Sequence, residues 1–180
     1  MKADIVREVV LEKGVSAKLN GNILTVKGPK GEVSREFRSP SITLAVTEDK
    51  ITLHVSKGTK REKTMIGTFE SHISNIVKGV QEPHVYTLKI CSGHFPMNVA
   101  IVGKEFVVKN FLGEAVPRRA EMIPGVDVKI TGNDITLSSP DKELAGMMAS
   151  RIENLCRITD RDRRIFQDGC YITQKAGKTI

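Results

Sequence analysis

Three cysteines and four histidines are the residues of this 180-residue chain best suited to metal or nucleophilic chemistry. Cys91 and His94 have C-x-x-H spacing, but Cys156 and Cys170 are far apart and form no C-x-x-C. A closed zinc site takes four ligands, usually as two close pairs, so the spacing argues against one. Nor does any stretch resemble a nucleophile elbow, a paired-carboxylate site or an H-E-x-x-H helix. The sequence therefore predicts no catalytic residue, no metal, no cofactor and no small-molecule substrate. An odd number of cysteines gives no disulfide framework, and they read as small buried hydrophobes in a reducing compartment.

The chemistry that remains is that of cations. The chain carries 28 Lys and Arg against 21 Asp and Glu, a net charge of +7 with a pI near 9.4. An excess of this size favours a polyanionic partner through phosphate contacts. From residue 157 onward there are six Lys or Arg, namely Arg157, Arg161, Arg163, Arg164, Lys175 and Lys178, against three Asp. Arg dominates, and its planar fork suits phosphate better than a point charge does. Asp160, Asp162 and Asp168 read as fixing nearby Arg side chains rather than as metal ligands.

Two loops and a helix start hold further candidates. In Lys27-Gly28-Pro29-Lys30-Gly31-Glu32 and Lys109-Asn110-Phe111-Leu112-Gly113-Glu114, glycine permits close backbone approach to a partner and lysine supplies charge. Neither has the spacing of a phosphate-binding Walker loop. Phe111-Leu112 is either a core contact or a wedge against a base or sugar, the core being the simpler expectation. In Lys57-Gly58-Thr59-Lys60-Arg61-Glu62-Lys63, four cations crowd the positive end of a helix dipole. An external phosphate at Lys57, Lys60 and Arg61 would relieve that and occupy the free N–H groups.

The elements that carry these residues occur twice. A shift of about 82 places Val15, Ala17, Leu19, Gly21, Leu24 and Val26 on Met97, Val99, Ile101, Gly103, Phe106 and Val108. Slightly different shifts place Ile42/Leu44/Val46 on Val126/Val128/Ile130, and Met65, Gly67, Ser71 and Ile73 on Leu144, Gly146, Ser150 and Ile152. Within each copy the apolar period is two, as in half-buried strands, and then becomes about 3.6. Asn20-Gly21 predicts a type I′ hairpin turn. Met65, Ile66, Phe69, Ile73, Ile76 and Val77 predict one helical stripe, started by a Thr59/Glu62 capping box and ended at Gly79. Ser139-Pro140 predicts the second helix start, with Leu144, Met148 and Ile152 as its stripe.

Each half is thus expected to be a small, mostly antiparallel sheet covered by one helix, an α+β architecture in tandem. The boundary falls near Gly79–Pro83, giving a first domain over 1–82 and a second, with a basic tail, over 83–180. The charge is shared: each half has 14 Lys and Arg, against 10 and 11 Asp and Glu. No apolar run approaches the roughly 20 residues needed to span a membrane. The start, Met1-Lys2-Ala3-Asp4-Ile5, does not read as a secretory signal, and a cytoplasmic location is expected.

Several motifs together resemble one family. Thr25-Val-Lys-Gly-Pro-Lys-Gly-Glu32 looks like the first-domain signature of the large-subunit ribosomal protein L6 family. His94-Phe-Pro96, Asn110-Phe-Leu-Gly-Glu114, Pro117-Arg-Arg119 and Pro124-Gly125 resemble its second domain, and Asp162-Arg-Arg-Ile-Phe-Gln-Asp-Gly-Cys-Tyr-Ile172 the archaeal and eukaryotic branch. The short length favours the archaeal type. Cys170, where an aliphatic residue is expected, and Cys91-Ser-Gly93 depart from the pattern as local packing changes. The resemblance covers essentially the whole chain. It implies two similar α+β domains, no catalysis, and direct binding of large-subunit ribosomal RNA, mainly by the second domain. It further implies neighbouring ribosomal proteins and a place near the translation-factor binding region and the sarcin–ricin loop, with translation factors as further partners. The contacts it implies are Lys109, Asn110, Gly113, Arg118, Arg119, Arg163, Arg164 and Lys175. A free RNA-binding or ribosome-assembly module is the alternative.

Overall fold

The structure is a computed structural model and describes residues 3–180. The chain divides into two compact units, Met1–Pro83 and His84–Ile180, each with its own apolar core.

In the first unit, β1 (Ala3–Val10), β6 (Lys50–Gly58) and β5 (Thr43–Val46) form one antiparallel sheet in the order β1-β6-β5. A second antiparallel sheet has the order β2-β3-β4, from β2 (Ser16–Asn20), β3 (Ile23–Gly28) and β4 (Gly31–Glu36). The helix α1 (Lys60–Gln81) packs on β1 and β6 of one sheet and on β3 and β4 of the other. The antiparallel strands of each half therefore split into two sheets sharing one helix. The expected stripe is the packed face: Ile66, Ile73, Ile76 and Val77 are buried, and Phe69 meets Phe37 edge to face. Burying each such side chain contributes about 1.5–3 kcal/mol.

The second unit repeats the plan. β7 (His84–Cys91), β12 (Asp134–Ser139) and β11 (Asp127–Thr131) correspond to β1, β6 and β5. β8 (Asn98–Val102), β9 (Glu105–Lys109) and β10 (Arg118–Glu121) correspond to β2, β3 and β4. The helix α2 (Lys142–Leu155) packs through Ala145, Met148, Ala149 and Ile152, which are fully buried. Here the sheet gains two strands, β13 (Gly169–Lys175) and β14 (Lys178–Thr179), giving the order β11-β12-β7-β13-β14.

Three local expectations are corrected. The turn between β2 and β3 is Gly21-Asn22, because Asn20 pairs with Ile23. Gly21 is left-handed at φ +61° while Asn22 is not, so the turn is not type I′. Gly79 does not end α1: it is buried in the last turn, and Glu82 caps the helix before Pro83 breaks it. Pro140 precedes α2 rather than opening it. Asp141 is the N-cap, its carboxylate accepting the Glu143 N–H at 2.8 Å. The basic tail also supplies structure, since Gly169–Lys175 is hydrogen-bonded along β7 with Cys170 buried.

Candidate nucleic-acid interface

The loop after β9 is built by backbone that few residues tolerate. Asn110 (φ 59°), Leu112 (φ 49°) and Gly113 (φ 81°) are all left-handed. This winds Phe111 and Leu112 inward, where both are buried, so the core expectation for them holds. Asn110 donates through Nδ2 to the Pro96 carbonyl at 3.1 Å. A Cβ on Gly113 would meet the Phe95 ring at 3.2 Å, so the close approach that this glycine permits is to its own chain. Lys109, at the end of β9, is exposed.

Arg118 and Arg119 have different fates. Arg118 forks onto Glu114 at 2.6 and 2.8 Å, with its Cζ 4.2 Å from the centroid of the Phe111 ring. Its third nitrogen donates to the carbonyls of Leu155, at the end of α2, and Arg157. The Arg118 hydrogen bonds hold the Glu114 carboxyl below its usual range. Arg118 is thus the cap that joins this loop to the end of α2, which leaves little of it for a partner. Arg119 points outward, with one exposed contact to Glu105 at 3.1 Å.

Residues 157–167 carry the exposed arginines of the tail, with Ile158 buried and Phe166 half-buried among them. Arg157 is exposed, and Arg161 lies over the Phe166 ring at 5.0 Å. Arg164 forks onto Asp162 at 2.8 and 3.1 Å, and its side chain stays 90% exposed. These bonds lower the Asp162 carboxyl and raise the Arg164 guanidinium. Arg163 is exposed and makes no ion pair among the described residues. Lys175 and Lys178 are exposed near the β13–β14 turn.

Asp162 does fix an arginine, but Asp168 does not. Fully buried, it accepts the backbone N–H groups of Gly93 and His94 and pairs with His94 Nδ1 at 3.0 Å. Burial alone would raise its carboxyl, and these bonds from His94 and Gly93 outweigh it, leaving a net downward shift. His94 in turn packs against Phe166, 4.8 Å between ring centroids. The exposed tail is therefore pinned at its base.

The candidate cations of the first unit all lie at the surface. Lys27 and Lys30 are exposed, but the Gly-Pro-Lys-Gly turn between them packs on α1 of its own unit. A Cβ on Gly28 would lie 2.8 Å from the Val80 carbonyl oxygen, and the Lys30 N–H donates to that oxygen at 2.9 Å. At the start of α1, Lys57, Lys60 and Arg61 are exposed, yet Glu62 already serves the helix end. Its carboxylate accepts the Thr59 N–H at 2.9 Å and the Thr59 hydroxyl, which lower it, so one donor at the helix start is satisfied within the chain.

The cysteines pack as apolar residues. Cys156 Sγ and Cys170 Sγ are 3.7 Å apart, both buried and reduced. The Cys170 thiol is pushed far up by that contact and by burial. No group of three His, Cys, Asp or Glu able to hold a metal occurs among the described residues. The same residues contain no helix long and apolar enough to cross a membrane. Sequence reasoning missed Gln167 and Tyr171, which with Cys91, Arg163 and Arg164 line an open cavity of about 440 Å³. Only the proximity of an aromatic residue to the Arg pair in sequence could have signalled it.

Two copies of one α+β unit, with cations on loops and tail, define a duplicated basic α+β protein. The sequence model of the family described as ribosomal protein L6 matches residues 12–83 and 95–169, once in each unit. Large ribosomal subunit protein uL6 of Nanoarchaeum equitans is 45% identical, covering 100% of this chain and 98% of that protein. Proteins of the same name from Methanocella arvoryzae and Methanosarcina mazei are each 42% identical, over 98% of this chain and 100% of theirs. The chain belongs to the ribosomal protein L6 family, in its archaeal type, and is a structural ribosomal component rather than an enzyme.

Proposed function

We propose that this protein is a constituent of the large ribosomal subunit that binds large-subunit ribosomal RNA chiefly through its second unit. The observation that carries the reading is the exposed arginine loop of residues 157–167, anchored by buried Asp168 and presenting Arg157, Arg161, Arg163 and Arg164. A guanidinium held on a pinned loop loses less freedom on meeting a phosphate than one on a free tail. Lys109, Arg119, Lys175 and Lys178, exposed in the same unit, are further phosphate contacts. Asn110, Gly113 and Arg118 shape the loop beside them. Lys27, Lys30, Lys57, Lys60 and Arg61 supply weaker, long-range attraction from the first unit. The name carried by the relatives supports assembly with the large subunit, in the cytoplasm and beside other ribosomal proteins. Family resemblance supports a position near the translation-factor binding region.

Titrating the full chain with large-subunit ribosomal RNA at several salt concentrations tests the reading. Log affinity is expected to fall linearly with log salt, by about 0.7–0.9 for each phosphate neutralised. A flat dependence refutes it. Crosslink mapping on intact subunits tests the position, and crosslinks confined to sites remote from the factor-binding region would refute that part.

A further inference from the structure

We infer that the cavity bounded by Cys91, Arg163, Arg164, Gln167 and Tyr171 is a pocket for one unstacked nucleotide of the bound RNA, with its base on the Tyr171 ring. This rests on the RNA-binding reading and specifies what the arginine loop takes hold of. The volume of about 440 Å³ falls in the range of roughly 300–1,000 Å³ typical of small-ligand sites. Duplex backbone contacts need no cavity; a base turned out of its stack does.

The lining has the parts such a nucleotide requires. Tyr171 is at the pocket wall and 36% exposed, whereas the chain's other tyrosine, Tyr86, is buried. Its ring is held in place: it lies so close to the Gly169 backbone that a Cβ there would be 3.2 Å from its Cζ, and its hydroxyl donates to the Asp168 carbonyl at 3.4 Å. A fixed aromatic face is a stacking platform for any base. Gln167 donates through Nε2 to the Arg164 carbonyl at 3.4 Å, and its amide oxygen can meet a base edge. Arg163 makes no ion pair among the described residues and is placed to fork onto the nucleotide's phosphate, while Arg164 is oriented by Asp162. The pocket forms where β13, absent from the first unit, meets the end of β7, through the pairing of Gly169 with Cys91. The extra strand thus creates a site that the first unit lacks.

The test is salt-dependent binding of the full-length protein to in vitro transcribed large-subunit ribosomal RNA, with ultraviolet crosslinking of the complex. Tyr171→Ala is expected to lower affinity roughly 5- to 150-fold with the salt slope unchanged, since stacking is not ionic. Tyr171→Phe keeps the ring and should bind as the native chain does. Tyr171→Leu keeps apolar bulk without a π face and should fall with the alanine variant, which separates stacking from a packing defect. Arg163→Ala should lower the slope by about 0.7–0.9. The crosslink should join Tyr171 to a single unpaired nucleotide. If the alanine and leucine variants bind within about twofold of the native chain while Arg163→Ala weakens, the pocket takes phosphate alone and the inference fails, though RNA binding stands. If adenosine monophosphate alone binds there as tightly as the RNA, it is a free-nucleotide site and the inference also fails. If the native chain shows no salt-dependent binding, the RNA-binding reading itself has failed.

Discussion

Asp168, just before β13, and His94, just after β7, lock the base of the arginine loop in place. The Asp168 carboxylate, wholly buried, accepts the His94 N–H at 3.0 Å and meets its ring Nδ1 at 3.0 Å, and it also accepts the Gly93 N–H. Asp168→Ala leaves those donors unsatisfied and is expected to destabilise by about 1–3 kcal/mol. It should also loosen the backbone around Arg161, Arg163 and Arg164, whose side chains are already at the surface, so that trypsin cleaves there faster. The Asp168 carboxyl lies below its usual value in the folded state, so its contribution is complete above the ordinary aspartate value of about 3.9. It is lost as pH falls through the lower native value. Proteolysis with an acid-tolerant protease, followed across that window, checks this; an Asp168→Asn chain that keeps the same acid step would contradict it.

Adjacent arginines should separate into structure and surface. Arg118→Ala removes charge-assisted bonds to Glu114 and to the carbonyls at the end of α2, and should cost about 1.5–3 kcal/mol in thermal or denaturant unfolding. Arg118→Lys should rescue it poorly, because an ammonium cannot fork. Arg119→Ala should change stability by less than about 0.5 kcal/mol and weaken RNA binding instead. Equal melting of the two alanine variants would overturn the distinction.

This division shows where sequence stops being informative. The duplication and the α1 stripe were legible because apolar period reports directly which face is buried, while for Phe111 and Leu112 only their apolar character favoured the core over an outward wedge. β1 was not legible: Val6 and Val10 are apolar but exposed, which blurs its alternation. β13 was hidden by the irregular register between Ile172 and Gln174, where Glu153 accepts the freed Ile172 N–H at 3.1 Å. The fate of Arg118 depends on Leu155, 37 residues away, and no local pattern encodes a contact of that reach. At the start of α1 the four cations read as a phosphate site or as a solvated cluster, because charge alone does not separate the two, whereas the capping spacing of Glu62 was legible and its carboxylate takes the Thr59 N–H.

Two glycines should respond in opposite ways to alanine. Gly28→Ala drives a methyl to within 2.8 Å of the Val80 carbonyl oxygen, which is helix backbone and cannot step aside. A loss of about 1–3 kcal/mol is expected, the usual result of overpacking. At Gly67, inside α1, an added Cβ meets nothing within 4 Å. Gly67→Ala should therefore stabilise by roughly 0.8–1 kcal/mol through helix propensity. Chemical denaturation of both variants decides the matter, and a destabilised Gly67→Ala chain would mean that the face is not free.

The cysteines should behave as packing. Cys156→Ala and Cys170→Ala are each expected to cost about 0.5–3 kcal/mol without any change in metal content. A thiol reagent should reach the half-buried Cys91 first and the other two only as the protein unfolds. Stoichiometric zinc, lost with any of these substitutions, would be the contrary result.

The last expectation concerns Arg163 and Arg164 together. One account makes them surface groups aimed at RNA; the other makes them braces for the tail through an aspartate. The structure offers the second account a single ion pair, the fork of Arg164 onto Asp162, which spans two residues and leaves the arginine 90% exposed. Such a contact shapes one turn but ties the tail to nothing else, and Asp168 already anchors the tail independently. The double substitution Arg163→Ala/Arg164→Ala should therefore leave the thermal midpoint nearly unmoved. Affinity for large-subunit ribosomal RNA should fall about tenfold or more, because permanently charged donors to phosphate are lost. Both measurements belong on one preparation, so that any loss of binding is read against a known folded fraction. A variant that melts early, yet binds normally at temperatures where it is folded, would return these arginines to the scaffold and leave the contact with RNA to Arg157, Arg161 and the lysines.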